Sequence, residues 1–211
     1  MSAPDTKTCI LNAAEKLFAQ NGFHNTSLRG ITSLAKVNLA AVNYHFGSKD
    51  ALLQAVIERR LLPLNRLRQE KLAAVLTQAT TSGAPPATKQ LLRAFIEPTL
   101  AFRHSGPGAE DFIAMIGRAL SEPDQTVRNC FLQLVMPLFQ QLFKGMQQAL
   151  PQLPSQVLLT RLQFTLGAMS QVMCNSARPA LQLPGLGEPL TDDQLADELI
   201  GFVCAGLEAQ Q

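Results

Sequence analysis

The first fifty residues hold three apolar-periodic runs separated by breaks too short for anything but tight turns. No other feature constrains the fold as much. From Thr6 to Gln20, the residues Ile10, Ala13, Ala14, Leu17 and Phe18 recur at helical spacing and form one face. Asn21-Gly22 ends that run, because glycine takes the left-handed conformation that closes a helix. Thr26 and Ser27 stand where an N-cap belongs, ahead of Leu28, Ile31, Leu34 and Ala35. After Lys36-Val37, Asn38 offers another N-cap and opens a short helix from Leu39 to Phe46. Gly47-Ser48 breaks it, and Ser48 caps a longer helix through Ala51, Leu52, Ala55 and Val56. Two short helices joined by a very tight turn, behind a third, make the helix-turn-helix pattern.

Downstream the reading stays helical. Ala51 to Ala79 forms one long helix with Pro63 as a potential kink, and Thr80 to Pro86 reads as a loop. Helices follow at about 88–103, 109–121, 124–150, 154–177 and 191–208. Breaks fall at His104 to Gly108, at Pro151, and through a Pro/Gly-rich span from Pro179 to Leu190. Pro98 and Pro137 lie inside helices and should bend them. The expected fold class is all-α. An N-terminal three-helix domain at 1–50 is followed by a C-terminal helical domain at 51–211.

Composition sharpens this. Hydrophobic residues make up 46% of the chain and charged residues only 16%, too oily for disorder and rich enough to expect a covering subunit. Up to Leu72, ten Lys and Arg face five Asp and Glu; from Ala73 onward, eight face eleven. A basic head on an acidic body suits a polyanionic partner. The four cysteines (Cys9, Cys130, Cys174 and Cys204) show no metal-binding spacing and read as reduced, buried thiols. The opening residues lack an export signal's cationic and apolar segments, and no run approaches the ~20 apolar residues of a membrane span. A cytoplasmic protein with no membrane partner is expected. With only His24, His45 and His104, and neither a nucleophile elbow nor a phosphate-binding glycine loop, no catalytic constellation, metal site or cofactor site is visible.

Particular residues carry a family resemblance. Ile10 to Phe18 and Asn21-Gly22-Phe23 are followed by Thr26-Ser27-Leu28-Arg29-Gly30-Ile31 and Ala35-Lys36-Val37-Asn38, then by Val42-Asn43-Tyr44-His45-Phe46-Gly47-Ser48-Lys49-Asp50-Ala51-Leu52-Leu53. Over about residues 7 to 55 this resembles the TetR family of repressors. The segment from Val37 to Phe46 is similar to the recognition segment of that family's regulators of fatty-acid metabolism. Asn38-Leu39 departs from the more polar or Gly-containing segment common there, which bears on which DNA sequence is read. The resemblance implies a double-stranded DNA operator, a homodimer built by the last two long helices, and a ligand cavity in the C-terminal domain.

The chemistry of the residues fits that implication. The third helix would lie in the major groove with Asn38, Leu39, Ala41, Asn43 and Tyr44 outward and Val42 and Phe46 inward. Asn43 can offer paired donor and acceptor to adenine, and Leu39, Ala40 and Ala41 can meet thymine methyls. Asn38 reads equally as a helix cap or a base reader. Thr26, Ser27, Tyr44, His45 and Lys49 are candidates for phosphate contact, which sets register but not sequence, with His45 readable also as a structural histidine. Arg29 could reach the backbone or a flanking base, or be a solvated surface charge.

For the effector, the apolar and deformable candidates are Phe95, Leu100, Phe102, Phe112, Met115, Met136, Phe139, Phe164, Met169 and Met173. Arg103, His104, Arg118, Arg128 and Arg178 could meet an anionic head group or simply be surface charge. The expected effector is a small hydrophobic molecule, with acyl compounds as candidates. Small residues Gly167, Ala168, Ser170, Gly201, Ala205 and Gly206 would allow close helix approach in the dimer. A protein-binding adaptor that has kept the fold and lost DNA binding is the rival reading, and repressor and activator read alike in the sequence.

Overall fold

The computed structural model describes residues 5–102, 104–121, 125–175, 188 and 190–209, with backbone alone at 114, 118–121 and 174–175. Among these residues the chain forms nine α-helices and no strand: α1 Thr6–Asn21, α2 Leu28–Ala35, α3 Leu39–Phe46, α4 Lys49–Ser82, α5 Thr88–Phe102, α6 Ala109–Ser121, α7 Gln125–Ala149, α8 Ser155–Asn175 and α9 Asp192–Glu208.

The starts of the early helices are written in side-chain oxygens. Asp5, Ser27, Asn38 and Ser48 each accept a hydrogen bond from the backbone N–H three residues on, at 2.7, 3.0, 2.9 and 3.1 Å. At α9, Thr191 and Gln194 complete a reciprocal capping box. One boundary departs from expectation. Thr80, Thr81 and Ser82 continue α4 instead of opening a loop, because their hydroxyls donate back to carbonyls three or four residues earlier. The helix ends only where Gly83 turns left-handed.

α1, α2 and α3 wrap a small core of Ile10, Ala14, Phe18, Phe23, Ile31 and Val42, to which α4 contributes Leu52, Leu53 and Val56. α4 is a single 34-residue helix across Pro63, so it belongs to both head and body. Its length of roughly 50 Å, at 1.5 Å per residue, ties them together. In the body, α4 packs on α5 and α7, α5 on α9, and α6 on α8. Pro98 and Pro137 lie inside α5 and α7 as expected. Cys9, Cys130 and Cys204 form no disulfide and are half-buried where full burial was expected, and the Cys174 side chain lies outside the described residues. No helix among the described residues is long and apolar enough to cross a membrane, and no group of three or more candidate metal ligands occurs among them.

Candidate nucleic-acid interface

The turn between α2 and α3 is closed by Val37 N–H donating to the Thr32 carbonyl at 3.0 Å. Lys36 at that turn has φ 56, the only non-glycine residue with positive φ among those described. Holding an L-residue there costs roughly 1–2 kcal/mol, and the residue is exposed. The turn therefore trades local strain for the abrupt change of direction between the two helices.

α3 then presents a split surface. Val42 is fully buried and Phe46 half-buried against the head core, while Asn38, Leu39, Ala40, Asn43 and Tyr44 are exposed. Tyr44 is 86% exposed, an unusual position for an aromatic ring, and stands at 5.1 Å from the His45 ring in an edge-on arrangement. Ala41 is half-buried and packs toward the core, so its methyl is less free than expected. Asn38 spends its Oδ1 on capping Ala41 N–H, which leaves only its amide nitrogen and a second lone pair for other partners.

Around this helix lie Ser27 and Arg29, both exposed, with half-buried His45 and Lys49. Lys49 is not a loose surface charge. Its Nζ sits 4.3 Å from the centre of the Phe23 ring and donates to the His24 carbonyl at 3.5 Å, at the N-terminal end of α4. Such restraint preorganises a cation beside a helix terminus already favourable to anions. Thr26 requires correction. It is only 3% exposed, and its hydroxyl donates to the Leu17 and Gly22 carbonyls at 3.1 and 2.8 Å. The hydroxyl ties α1 to α2 and is not presented to a phosphate.

The body contains an apolar cavity of about 520 Å³ between α4, α5, α7 and α8, within the range of small-molecule sites. Of the expected residues, Phe95, Met136, Phe139, Met169 and Arg128 line it. Phe102, Phe112, Met115 and Met173 do not. Phe102 and Phe112 stack edge-on at 5.9 Å, and the last three residues are core. Phe164 is 71% exposed on the outer face of α8, so it is a surface residue and no part of this wall. Leu100 and His104 line a separate, more polar groove with Asp192, which His104 contacts. Arg103, Arg178 and the Arg118 side chain lie outside the described residues.

Two buried charges escaped the sequence reading. Arg68 lies in the cavity wall at 1% exposure, and Glu15 lies at the junction of head and body. The signal was present in both helices. Arg68 falls in register with Leu61, Leu64 and Leu72, and Glu15 with Leu11, Ala14 and Phe18, at the spacings of a buried helical face.

Comparison with known proteins places the chain. Its residues 93–206 match the family described as tetracyclin repressor-like, C-terminal domain, and residues 10–56 match bacterial regulatory proteins, tetR family. It is 44% identical over 55 residues to the HTH-type transcriptional regulator UidR of Escherichia coli (strain K12), covering 26% of this chain and 28% of that protein. A transcriptional repressor of Mycobacterium tuberculosis is 43% identical over 63 residues, 30% of this chain and 34% of its own. The chain thus matches about a third or less of the length of these relatives. Among solved structures, a TetR-like regulator from Rhodococcus sp. RHA1 is similar with TM-score 0.65 at 21% identity, covering 99% of this chain and 100% of that one. FadR from Bacillus subtilis, solved in complex with stearoyl-CoA, has TM-score 0.67 at 12% identity, covering 94% and 98%. At these identities the likeness speaks for the fold.

Proposed function

The chain belongs to the TetR family of bacterial regulatory proteins, and from that premise we propose that it is a DNA-binding transcriptional regulator. It represses by holding a palindromic operator and lets go when a hydrophobic small molecule enters the body. The family is one of transcription regulators and not of enzymes. The division of labour falls near residue 50, with reading in the head and effector binding in residues 51–211.

The observation that carries this reading is the polarity of α3: Val42 is inside and Asn38, Leu39, Asn43 and Tyr44 are outside, on a helix short enough to enter a major groove. Asn43 reads a base edge, Leu39 and Ala40 lie against thymine methyls, and Ser27, Arg29, Tyr44, His45 and Lys49 hold phosphates. A palindrome needs two heads about 34–36 Å apart, or a multiple of that. The body offers the surface for such a pair. Phe164 on α8 and Phe202 on α9 are largely exposed, and Gly167, Gly201 and Gly206 have open space where a side chain would stand. A homodimer through α8 and α9 covers them. The likeness of the body to a fatty-acid regulator bound to stearoyl-CoA supports an acyl-type effector for the apolar cavity.

Selection of bound sequences from a random duplex pool tests the reading. Recovery of a palindrome, with affinity falling steeply as salt rises, is the expected result. Absent or salt-insensitive duplex binding would favour the adaptor.

A further inference from the structure

Arg68 is an arginine in an oily wall. Besides Arg68 the cavity is bounded by Phe95, Phe131, Val135, Phe139, Leu159 and Met169 among others, and meets solvent where its lining includes the exposed residues Met136 and Gln163. The Arg68 guanidinium lies 4.8 Å from the centre of the Phe95 ring. It donates to Asn65 Oδ1 at 3.2 Å and to Thr99 Oγ1, both neutral acceptors. Its Nε has no hydrogen-bond partner, and no carboxylate pairs with it among the described residues. Five N–H donors with two acceptors among the described residues leave a planar fork largely unspent.

A buried cation of this kind is costly unless something pairs with it. Asn65 and Thr99 are also anchored without it, Asn65 Nδ2 donating to the Leu134 carbonyl at 2.9 Å and Thr99 Oγ1 to the Phe95 carbonyl at 3.3 Å. Both acceptors of the arginine are neutral, so neither offsets the buried charge. Its planar fork is the natural partner of a planar, singly charged oxyanion. The surrounding walls are mostly apolar and suit an apolar body.

We propose that this cavity binds an apolar carboxylic acid, its carboxylate held by the Arg68 guanidinium and its hydrocarbon laid along Phe131, Val135 and Phe139. This rests on the effector-responsive regulator reading above and narrows its ligand from hydrophobic to anionic amphiphile. One buried cation matches a monoanion better than a phosphate dianion, and half-buried Arg128 near the same wall strengthens the attraction without closing the pair.

Calorimetric titration of the full chain with decanoate, biphenyl-4-carboxylate, 1-decanol and decanoyl-CoA tests it, followed by release of the selected operator by each compound. At least one of the two carboxylates is expected to bind the wild type ten-fold or more tightly than 1-decanol does. Arg68→Met should lose that ten-fold while binding 1-decanol as well as before. The wild-type comparison stands even if the variant folds poorly. Equal binding of decanol and decanoate, binding of decanoyl-CoA alone, no binding of either carboxylate, or an Arg68→Met chain that keeps full carboxylate affinity would each overturn the proposal. Release of the operator by decanol as readily as by decanoate would sink it while leaving the regulator intact; failure to bind any duplex would instead undo the regulator reading.

Discussion

Glu15 of α1 and Arg60 of α4 face each other in a two-point ion pair, Nε to Oε2 at 2.8 Å and Nη2 to Oε1 at 2.6 Å. Arg59 adds a second guanidinium on Oε2 at 2.7 Å, and Arg60 also donates to the Pro107 carbonyl, in the turn between α5 and α6, at 2.6 Å. One carboxylate therefore joins the head, the connecting helix and the body. The charge of Arg60 is correspondingly secured, its pKa raised by the hydrogen bonds it donates to Glu15 against the opposing effect of burial.

Glu15→Gln should leave two guanidiniums facing a neutral amide. Breaking a fully buried pair costs about 3–5 kcal/mol, and the loss here is expected to be smaller because Arg59 and Arg60 are 24% and 19% exposed. Urea unfolding measures it. The same variant should respond less to effector in operator release, since the head loses its tie to the body. An unchanged effector response would show that coupling runs elsewhere.

Gly108→Ala should be damaging for two reasons that reinforce each other. Its φ is 79, a conformation that side chains resist, and an added Cβ would overlap Glu15 Oε1 and crowd Arg60. Strain of this kind costs on the order of 1–3 kcal/mol. A thermal melt indistinguishable from wild type would contradict the tight approach of this turn to α1.

On the DNA face, Asn43→Ala should relax the preference at one base position per half-site, worth about 1–3 kcal/mol of discrimination. Tyr44→Phe should weaken all duplexes alike without altering the salt dependence, because a neutral donor releases no counterion. Lys49→Ala should weaken all duplexes and lower the salt slope by about one. Binding profiles of the three variants against the selected pool separate these outcomes. An Asn43→Ala profile matching wild type would remove its base-reading role.

Thr26→Val separates structure from contact. Removing a hydroxyl that satisfies two carbonyls should cost about 1–3 kcal/mol of stability while leaving the salt slope of DNA binding alone. Ser27→Ala should cost about 0.5–2 kcal/mol through its lost cap. A fall in salt slope for Thr26→Val would mean that this hydroxyl meets phosphate after all.

Burial pulls the Arg68 guanidinium well below its ordinary value, to about 9. Among the described residues, Arg128 is the other charged residue in the wall of that cavity, and no carboxylate lines it. Below pH 9 the cation is carried by folded and unfolded chains alike, and the cost of burying it is fully present. Between about 9 and 12 the folded chain gives up a proton that the unfolded chain keeps, so this group adds stability as pH rises. Arg68→Met without ligand should therefore exceed wild type by roughly 1–4 kcal/mol at pH 7, and its advantage should shrink by pH 10. Denaturant midpoints at the two pH values decide this. An arginine more stabilising than methionine at pH 7 would mean that it already has a partner in the free protein.

The helices and their order could be read from local chemistry. Asp5, Ser27, Asn38, Ser48 and Thr191 each cap from within three residues, and the apolar spacing that follows needs no distant partner to be recognised. The outward face of α3 was legible for the same reason, since Val42 and Phe46 mark the inward stripe of that helix, though half-buried Ala41 turned out to belong with them. Thr80 to Ser82 misled because hydroxyl residues favour loops and helix ends about equally until a glycine fixes the stop.

What tertiary packing decided is where charges and rings go once helices meet. Counting cations up to Leu72 gave a basic head, yet Arg59 and Arg60 are spent on Glu15 and Arg68 is sealed in the body, all by contacts from distant elements. Phe164 and Phe139 have the same side chain and similar helical surroundings, but one stands in solvent and the other lines a cavity. Local sequence sets which stripe of a helix is oily; only the neighbours that pack on it determine whether that stripe becomes core, cavity or open surface.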